Sequence, residues 1–348
     1  MSEITLGIIG GGQLGSMLAI AAKKLNIKTV IFCDDVDAPA QNFCDNFIFG
    51  DYEDSECIKK FINNVDLVTY EFENIPYETL HQINSQKKVH PKPEINRIIQ
   101  NRLFEKNFIN DLGIKTTKYK LIKKVTDIEH NEDLVPGLLK TCTLGYDGKG
   151  QFKINAIDDL KNLKIDFKKN FILEKFIDLK KEISVVLTRF DKDSFEIYEP
   201  IENIHQEQIL RTSKIPADIK NELKELSKKW AISISEALDY IGTLCVEFFI
   251  DNQDNLYVNE IASRVHNSGH LTINSHNVSQ FENHLRAVCK LDKLNTKKLY
   301  NAEMINLIGN DILKYRNAKL QDNEFFFDYN KKDIKPKRKM GHLTRIFK

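Results

Sequence analysis

Several groups of residues in this sequence have the types and spacing needed for phosphate, metal or oxyanion chemistry. Lys140 lies at the end of a strand-like run and leads into Gly145, Tyr146, Asp147, Gly148, Lys149, Gly150 and Gln151. A loop this rich in glycine can wrap phosphate oxygens with backbone N–H groups, while the lysine supplies a point charge from a rigid strand. The lysine precedes the glycines, so the segment is not a Walker loop. A flexible hairpin with a surface lysine is the plain alternative. Three glycines, two charges and a tyrosine in one turn favour phosphate.

Glu247 interrupts the otherwise apolar run 244–250, and residues 251–255 are all types that make turns. A hairpin centred on Gln253 sets Glu247 across from Asn259 or Glu260. Carboxylates that close repel unless a cation lies between them, and an oxygen-rich pair suits Mg2+ when phosphates complete its shell. The alternative places the two glutamates on opposite sides of the ribbon, in solvent. Just downstream, Arg264, His266, Asn267, Ser268, Gly269 and His270 crowd hydrogen-bond donors into one turn. Zinc on His266 and His270 would prefer a helix that Asn267, Ser268 and Gly269 disfavour, so an oxyanion fits better. Near the N-terminus, Gly10, Gly12 and Gly15 spell G-x-G-x-x-G, with Asp34 at the end of the next strand-like run. Alone this pattern favours NAD, although the same loop serves α/β domains that bind other anions or nothing. The segment 70–74, Tyr-Glu-Phe-Glu-Asn, follows a third strand, where clefts of parallel sheets open, or is simply an acidic loop.

The elements that must position these groups follow from hydrophobic periodicity. Strand patterns at 5–9, 29–32 and 65–70 alternate with helical patterns at 14–25 and 55–63, a βαβαβ layout that implies a parallel sheet. Pro91 and Pro93 close this unit, and an amphipathic helix is expected over 95–112. Strand-like pieces at 119–122, 137–141, 151–154 and 171–174 surround the Lys140 loop. Beyond them come strands at 182–188 and 195–200, a long helix over 217–238, and the hairpin 245–250 with 256–261. Ser279 and Glu282 have capping-box spacing for a helix through Arg286.

A chain of 348 residues suggests two or three packed lobes. Apolar content of 41% and charged content of 29% are those of a globular protein, and 51 basic against 50 acidic residues leave no global field for nucleic acid. No run approaches ~20 apolar residues and no signal-peptide layout opens the chain, so a cytoplasmic protein without a membrane partner is expected. The six cysteines form no CxxC pair and are expected to be reduced, mostly buried thiols. The one basic excess, Lys331 to Lys339, reads on composition as a solvated tail.

In their order and spacing these segments resemble the N5-carboxyaminoimidazole ribonucleotide synthetases, the ATPase subunits of phosphoribosylaminoimidazole carboxylase, in the ATP-grasp superfamily. The resemblance runs through GGGQLG at 10–15, YEFEN at 70–74, residues 101–106, 140–151, ENIH at 202–205, 259–270, SQFENHLRA at 279–287 and KMGH at 339–342. It implies an α/β protein with an ATP-grasp fold: an N-terminal Rossmann-like domain (1–95), a small mobile lid lobe (113–178), and a C-terminal α+β lobe (96–112 and 179–348). The implied reaction is ATP-dependent carboxylation of 5-aminoimidazole ribonucleotide by bicarbonate, through carboxyphosphate, in purine biosynthesis. Mg2+ and a homodimer are implied, and NAD is not. ATP would be surrounded by Arg102, Lys140, the loop Gly145, Tyr146, Asp147, Gly148, Lys149, Gly150 and Gln151, then Glu174, Lys175, Phe176, Ile177, Glu182, His205, Asn259 and Glu260. Glu247 and Glu260 would hold the metal. Glu73, Asp147, Arg264, His266 and Asn267 would act at bicarbonate and carboxyphosphate, and Tyr146, Lys331 and Arg338 would receive the ribonucleotide. Ser263 and Val265 stand where the family usually has prolines, and Asn330 where it has glycine. Another ATP-grasp ligase, an NAD-dependent dehydrogenase and a non-catalytic nucleotide sensor are the rival readings.

Overall fold

The computed structural model describes residues 4–143, 150–162 and 166–348. Near the N-terminus, strands β1 (Thr5–Ile9), β2 (Lys28–Cys33), β3 (Asn46–Phe49) and β4 (Leu67–Tyr70) form a parallel sheet in the order β3-β2-β1-β4. β3 adds an edge strand that hydrophobic patterning had not indicated, because it is only four residues long and its burial is partial. Leu6 and Ile8 of β1 pack with Leu14, Met17 and Leu18 of the helix Gln13–Lys24. The same cluster takes in Val265, Phe281, Leu285 and Tyr329 from distant sequence, so the N-terminal sheet shares its core with elements of the C-terminal half.

The second sheet is antiparallel: β5 (Tyr119–Ile122), β6 (Gly137–Thr141), β7 (Gln151–Ile154) and β8 (Phe171–Lys175), in the order β5-β8-β6-β7. Ile122, Leu139, Ile154, Phe171 and Leu173 form its own small core. The third sheet has nine strands. These are β9 (Leu179–Arg189), β10 (Phe195–Ile197), β11 (Ile201–Gln206), β12 (Ile209–Ile215), β13 (Gly242–Asp251), β14 (Leu256–Ala262), β15 (Asn301–Ile308), β16 (Glu324–Asp328) and β17 (Lys339–Phe347). They run β14-β13-β9-β11-β12-β15-β17-β16, with β10 beside β9.

Two expectations need correction. The single helix over 95–112 is two helices, Pro93–Ile99 and Arg102–Asp111, broken where the Asn101 side chain accepts hydrogen bonds from the N–H groups of Leu103 and Phe104. That cap sets Arg102 at the first turn of a new helix. The strand over 195–200 is likewise interrupted at 198–200, and the longer strand begins at Ile201. The expected long helix is present as Asn221–Ala237, and the helix Gln280–Val288 opens on the Ser279–Glu282 capping box.

His284 stitches the halves together. Its Nδ1 accepts from the Thr243 N–H at 3.0 Å, which leaves Nε2 to donate to Thr69 Oγ1 at 2.8 Å. Burial, with a smaller contribution from nearby His90, pushes its pKa down to about 3 from 6.5. His90 and His276 are pushed down to about 4 and His342 to about 3, in each case chiefly by burial. A depressed histidine pKa gives stability that is complete above the unfolded value and is lost as pH falls toward the folded one. The thermal midpoint should therefore fall steadily as pH is lowered from about 6.5 toward 4. A level or rising midpoint across that interval would contradict the assignment.

Candidate active site

The three sheets meet at one cleft of about 920 Å³. Its wall includes Gly10 to Gln13 and Glu71 to Asn74 from the parallel sheet, Arg102, and Lys140 and Gln151 from the second sheet. The nine-stranded sheet contributes Glu182, His205, Glu247, Asn259 and Glu260, followed by Arg264, His266 and Asn267, and then Lys331, Arg338 and Lys339. Most residues singled out in the sequence thus share one cavity. Gly145, Tyr146, Asp147, Gly148 and Lys149 lie outside the described residues.

The hairpin forms with Glu247 directly opposite Glu260. A register shift follows at once, so that Phe248 faces Val258 and Asn259 is the extra residue of a bulge. Opposed residues of an antiparallel pair point to the same face, which places both carboxylates in the cleft. Each has its own cation: His266 Nε2 lies 3.1 Å from Glu247 Oε1, and Arg102 Nη1 lies 3.5 Å from Glu260 Oε2. Their repulsion is therefore relieved by side chains even without a metal, which corrects the expectation that only a bound cation could do so. Burial raises the Glu260 carboxyl, and the Glu247 charge raises it further. Glu247 is held down at about 2 despite burial, because His266, His205 and Lys339 surround it. His266 moves the other way. Burial opposes its charge, but Cys245 and Glu247 raise its pKa to about 10.

The turn after β14 is clamped by one side chain. Gln280 Oε1 accepts from the His266 N–H at 2.9 Å, and its Nε2 donates to the His266 carbonyl at 2.6 Å. A Cβ on Gly269 would stand 2.5 Å from that Oε1, so the close approach requires glycine. Ser263 and Val265 are both buried, and the turn is held by this clamp rather than by prolines. Arg264 Nη2 pairs with Glu73 Oε1 at 2.8 Å, and the Asn267 and Asn306 amides exchange hydrogen bonds. His270 is elsewhere, enclosed by the rings of Phe281, Tyr329 and His342. Among the described residues no group of three or more His, Cys, Asp or Glu could hold a metal ion by itself.

On the second sheet, Lys140 Nζ lies 3.1 Å from Glu174 Oε2. Glu174 is buried behind the wall, and burial is outweighed by Lys106, Lys140 and Arg102, which hold it ionised at about 2. Of the neighbouring residues, Phe176 lines the cleft while Lys175 and Ile177 do not; Lys175 Nζ donates to the Asp133 carbonyl. Gly150 stands beside the cleft, its carbonyl accepting from the Thr141 N–H. His205 Nδ1 lies 2.6 Å from Glu182 Oε2.

At the glycine fingerprint the Gly12 N–H donates to Glu71 Oε1 at 2.5 Å. Gly10 has φ +104°, and a Cβ there would meet the same carboxylate at 2.9 Å. A protein carboxylate thus occupies the place where a dinucleotide pyrophosphate would sit. The basic run is no free tail. Lys331 Nζ donates to Gln13 Oε1 at 3.0 Å and to the Lys339 carbonyl, and Lys332 and Lys337 pair with Asp37 and Glu207. Arg338 Nη1 donates to the Asp333 carbonyl and also lines the cleft. Asn330 has φ +53°, a conformation that explains glycine in the family and that asparagine tolerates. Sequence reasoning gave no role to Glu71, Glu105, Lys106 or Lys339. Glu105 is buried, its carboxyl pushed up to about 8 by burial and by Glu260, and it accepts from the Ile261 N–H at 2.6 Å. The available signal was two adjacent charges on the face of Arg102–Asp111 that also carries Ile109.

Comparison with known proteins agrees with this layout. Family models match at residues 3–100 (ribonucleotide synthetase preATP-grasp domain), 107–281 (ATP-grasp domain) and 302–348 (phosphoribosylaminoimidazole carboxylase C-terminal domain). The chain is 37% identical to an N5-carboxyaminoimidazole ribonucleotide synthase of Brucella melitensis, covering 98% of this chain and 96% of that protein. A Bacillus subtilis protein of the same name is 36% identical over 97% of this chain and 90% of its own length. The fold superposes on the Staphylococcus aureus N5-carboxyaminoimidazole synthetase complexed with ADP with a TM-score of 0.93, at 35% identity over 99% and 93% of the two chains. An Aspergillus clavatus synthase in complex with ADP and 5-aminoimidazole ribonucleotide superposes with a TM-score of 0.91, at 28% identity over 99% and 94%.

The clamp can be tested directly. Gln280→Leu keeps the volume but leaves the buried His266 N–H without its partner and the His266 carbonyl with only the Gly269 N–H. It should destabilise the protein by about 2 kcal/mol or more, read as a lower urea midpoint. An unchanged midpoint would show that the turn is held by other contacts.

Proposed function

Because the chain belongs to the N5-carboxyaminoimidazole ribonucleotide synthase family of ATP-grasp ligases, we propose that it draws the carboxyl group from bicarbonate by way of carboxyphosphate. ATP-dependent carboxylation of 5-aminoimidazole ribonucleotide, a step of purine biosynthesis, is the reaction of this chain. The observation that supports the residue assignment is one cleft in which the facing carboxylates, the donor-rich turn and the basic segment stand together.

Bicarbonate is a poor electrophile. In the proposed route one of its oxygens attacks the γ-phosphorus, the bond to the β,γ-bridging oxygen breaks, and ADP leaves. The ribonucleotide amine then attacks the carbonyl carbon of carboxyphosphate, phosphate departs, and the amine proton is lost. Arg102, Lys140, Gln151, Phe176, Glu182, His205 and Asn259 are assigned to ATP, with Gly150, Glu174, Lys175 and Ile177 beside them. Glu174 sits too deep to touch the nucleotide with its side chain in this arrangement. Glu247 and Glu260, with the Asn259 amide, have the oxygen donors that Mg2+ takes when phosphates complete its shell, and they fit that ion. Mg2+ bound there would neutralise charge on the transferring phosphoryl group. Arg264, His266 and Asn267 are assigned to the bicarbonate and carboxyphosphate oxygens, a reading supported by their place in the cleft, and Glu73 orients Arg264 through their ion pair. Lys331 and Arg338 are assigned to the ribonucleotide phosphate. Carboxyphosphate is short-lived in water, so the second sheet is assigned to close as a lid.

The working domain map is 1–95, 113–178, and 96–112 with 179–348, supported by the confinement of each sheet to one of these parts. NAD has no place in the proposal, since Glu71 already accepts from the fingerprint loop. A cytoplasmic homodimer is the proposed state. No helix among the described residues is long and apolar enough to cross a membrane.

Two variants test the assignment. Glu260→Gln should leave ATP binding nearly intact and cut turnover by at least ~100-fold, and wild-type turnover at saturating Mg2+ would remove Glu260 from the metal site. Arg338→Ala should raise the KM for ribonucleotide at least ~10-fold while the KM for ATP moves little, as expected for one charged hydrogen bond to phosphate. Unchanged constants for both substrates would place the phosphate elsewhere.

A further inference from the structure

The chain enters the second sheet from the helix Arg102–Asp111 and leaves it from β8 into β9 of the third. One buried ammonium group touches the entry segment at Thr116 and Thr117 and, at Glu174, the strand from which the chain leaves. Lys106 Nζ, its side chain only 2% exposed, lies 2.9 Å from Thr116 Oγ1, 3.1 Å from Thr117 Oγ1, 3.5 Å from the Asn259 carbonyl and 3.6 Å from Glu174 Oε2. The Thr116 hydroxyl in turn donates to the Val258 carbonyl at 2.8 Å. Glu174 Oε2 also accepts from Lys140 at 3.1 Å and from Thr117 at 3.3 Å. Two lysines therefore share one carboxylate oxygen, and the trio carries one excess positive charge.

A buried ion cluster of this kind is rarely the most stable way to fill a core, because apolar side chains of similar volume avoid the desolvation cost. Its charge count points to a ligand. We propose that Lys106 is a positioning residue for ATP: by sharing Glu174 it leaves the Lys140 charge available to the nucleotide phosphates, and it pins the lid to the strand carrying Asn259 and Glu260. The inference rests on the assignment of Lys140 to ATP. Without Lys106, Glu174 would pair with Lys140 alone and cancel the charge that the phosphates need.

The experiment compares steady-state kinetics, with each substrate varied in turn, for Lys106→Met, Lys106→Met/Glu174→Gln and Lys140→Met. Lys106→Met should raise the KM for ATP ~10-fold or more and leave that for ribonucleotide within about twofold, since one uncompensated charge is lost from the phosphate site. Adding Glu174→Gln should bring the ATP constant back to within ~3-fold of wild type, because the carboxylate that captured Lys140 is gone. A merely structural role predicts no recovery, since the second change removes another buried partner. An ATP constant within twofold of wild type in Lys106→Met, or a double variant no better than the single, overturns the proposal. If Lys106→Met does not fold, the double variant decides: an ATP constant within ~3-fold of wild type supports charge sharing and a ~10-fold rise overturns it. Lys140→Met distinguishes the premise. A normal ATP constant there overturns the nucleotide assignment of Lys140 together with the inference, whereas a raised one beside a normal Lys106→Met overturns the inference alone.

Discussion

The cleft is organised around two carboxylates, Glu247 and Glu260, that face each other across a bulged hairpin. Like charges at cross-strand distance are unfavourable, and the surrounding structure answers that constraint. His266 turns its Nε2 to Glu247, which ties the donor-rich turn to the hairpin, and Arg102 reaches Glu260 from a helix that exists because Asn101 caps it. Glu105 and Lys106, the buried ionisable residues of the same helix, hold the backbone of Ile261 and Asn259 beside the pair. The bulge adds the Asn259 amide to the same edge. The result is a set of facing oxygen donors, each carboxylate paired with one side-chain cation, and such a set suits a cation brought in with nucleotide phosphates.

The same principle explains why a dinucleotide fingerprint serves a different purpose here. The Gly12 N–H at the start of the first helix attracts an anion, and the chain supplies its own in Glu71. Lys331 bonds Gln13 in that loop, so the glycine loop, the YEFEN segment and the basic segment form one wall. In the proposed mechanism the basic segment of that wall takes the ribonucleotide phosphate while the second sheet brings ATP. One carboxylate thus separates a fold's general capacity for phosphate from the ligand it holds.

Much of this was legible in the sequence because local rules agreed with the global fold. The hairpin that sets Glu247 across from Asn259 or Glu260, the four strands around the Lys140 loop and the capping box at Ser279 all follow from turn chemistry and alternation, while the bulge that selects Glu260 does not. What escaped depends on long-range contact. β12 and β17 bury neighbouring residues and β16 is only partly buried, so none of these three shows a clean alternation. The Asn101 break was hidden inside a helix whose amphipathic period continues on both sides. Buried charges such as Glu71 and Lys106 look like surface residues until their partners, 59 residues away for Gly12 and 153 away for Asn259, are in place. With Ser263 and Val265 where the family usually has prolines, the turn needs another restraint, and Gln280 supplies it from a helix that sequence alone could not dock.

The central claim is that the facing carboxylates seat a divalent cation only together with nucleotide. Mn2+ offers a direct measurement, since free Mn2+ gives an electron paramagnetic resonance signal that falls on binding. Titration in the presence of ADP should give stoichiometric, saturable Mn2+ binding to the wild-type protein, with binding far weaker when ADP is omitted. In Glu247→Gln/Glu260→Gln the ADP-dependent binding should weaken at least ~10-fold, the loss of two charged oxygen ligands. An unaltered Mn2+ affinity in that double variant would contradict the account, because the cation would then be held elsewhere.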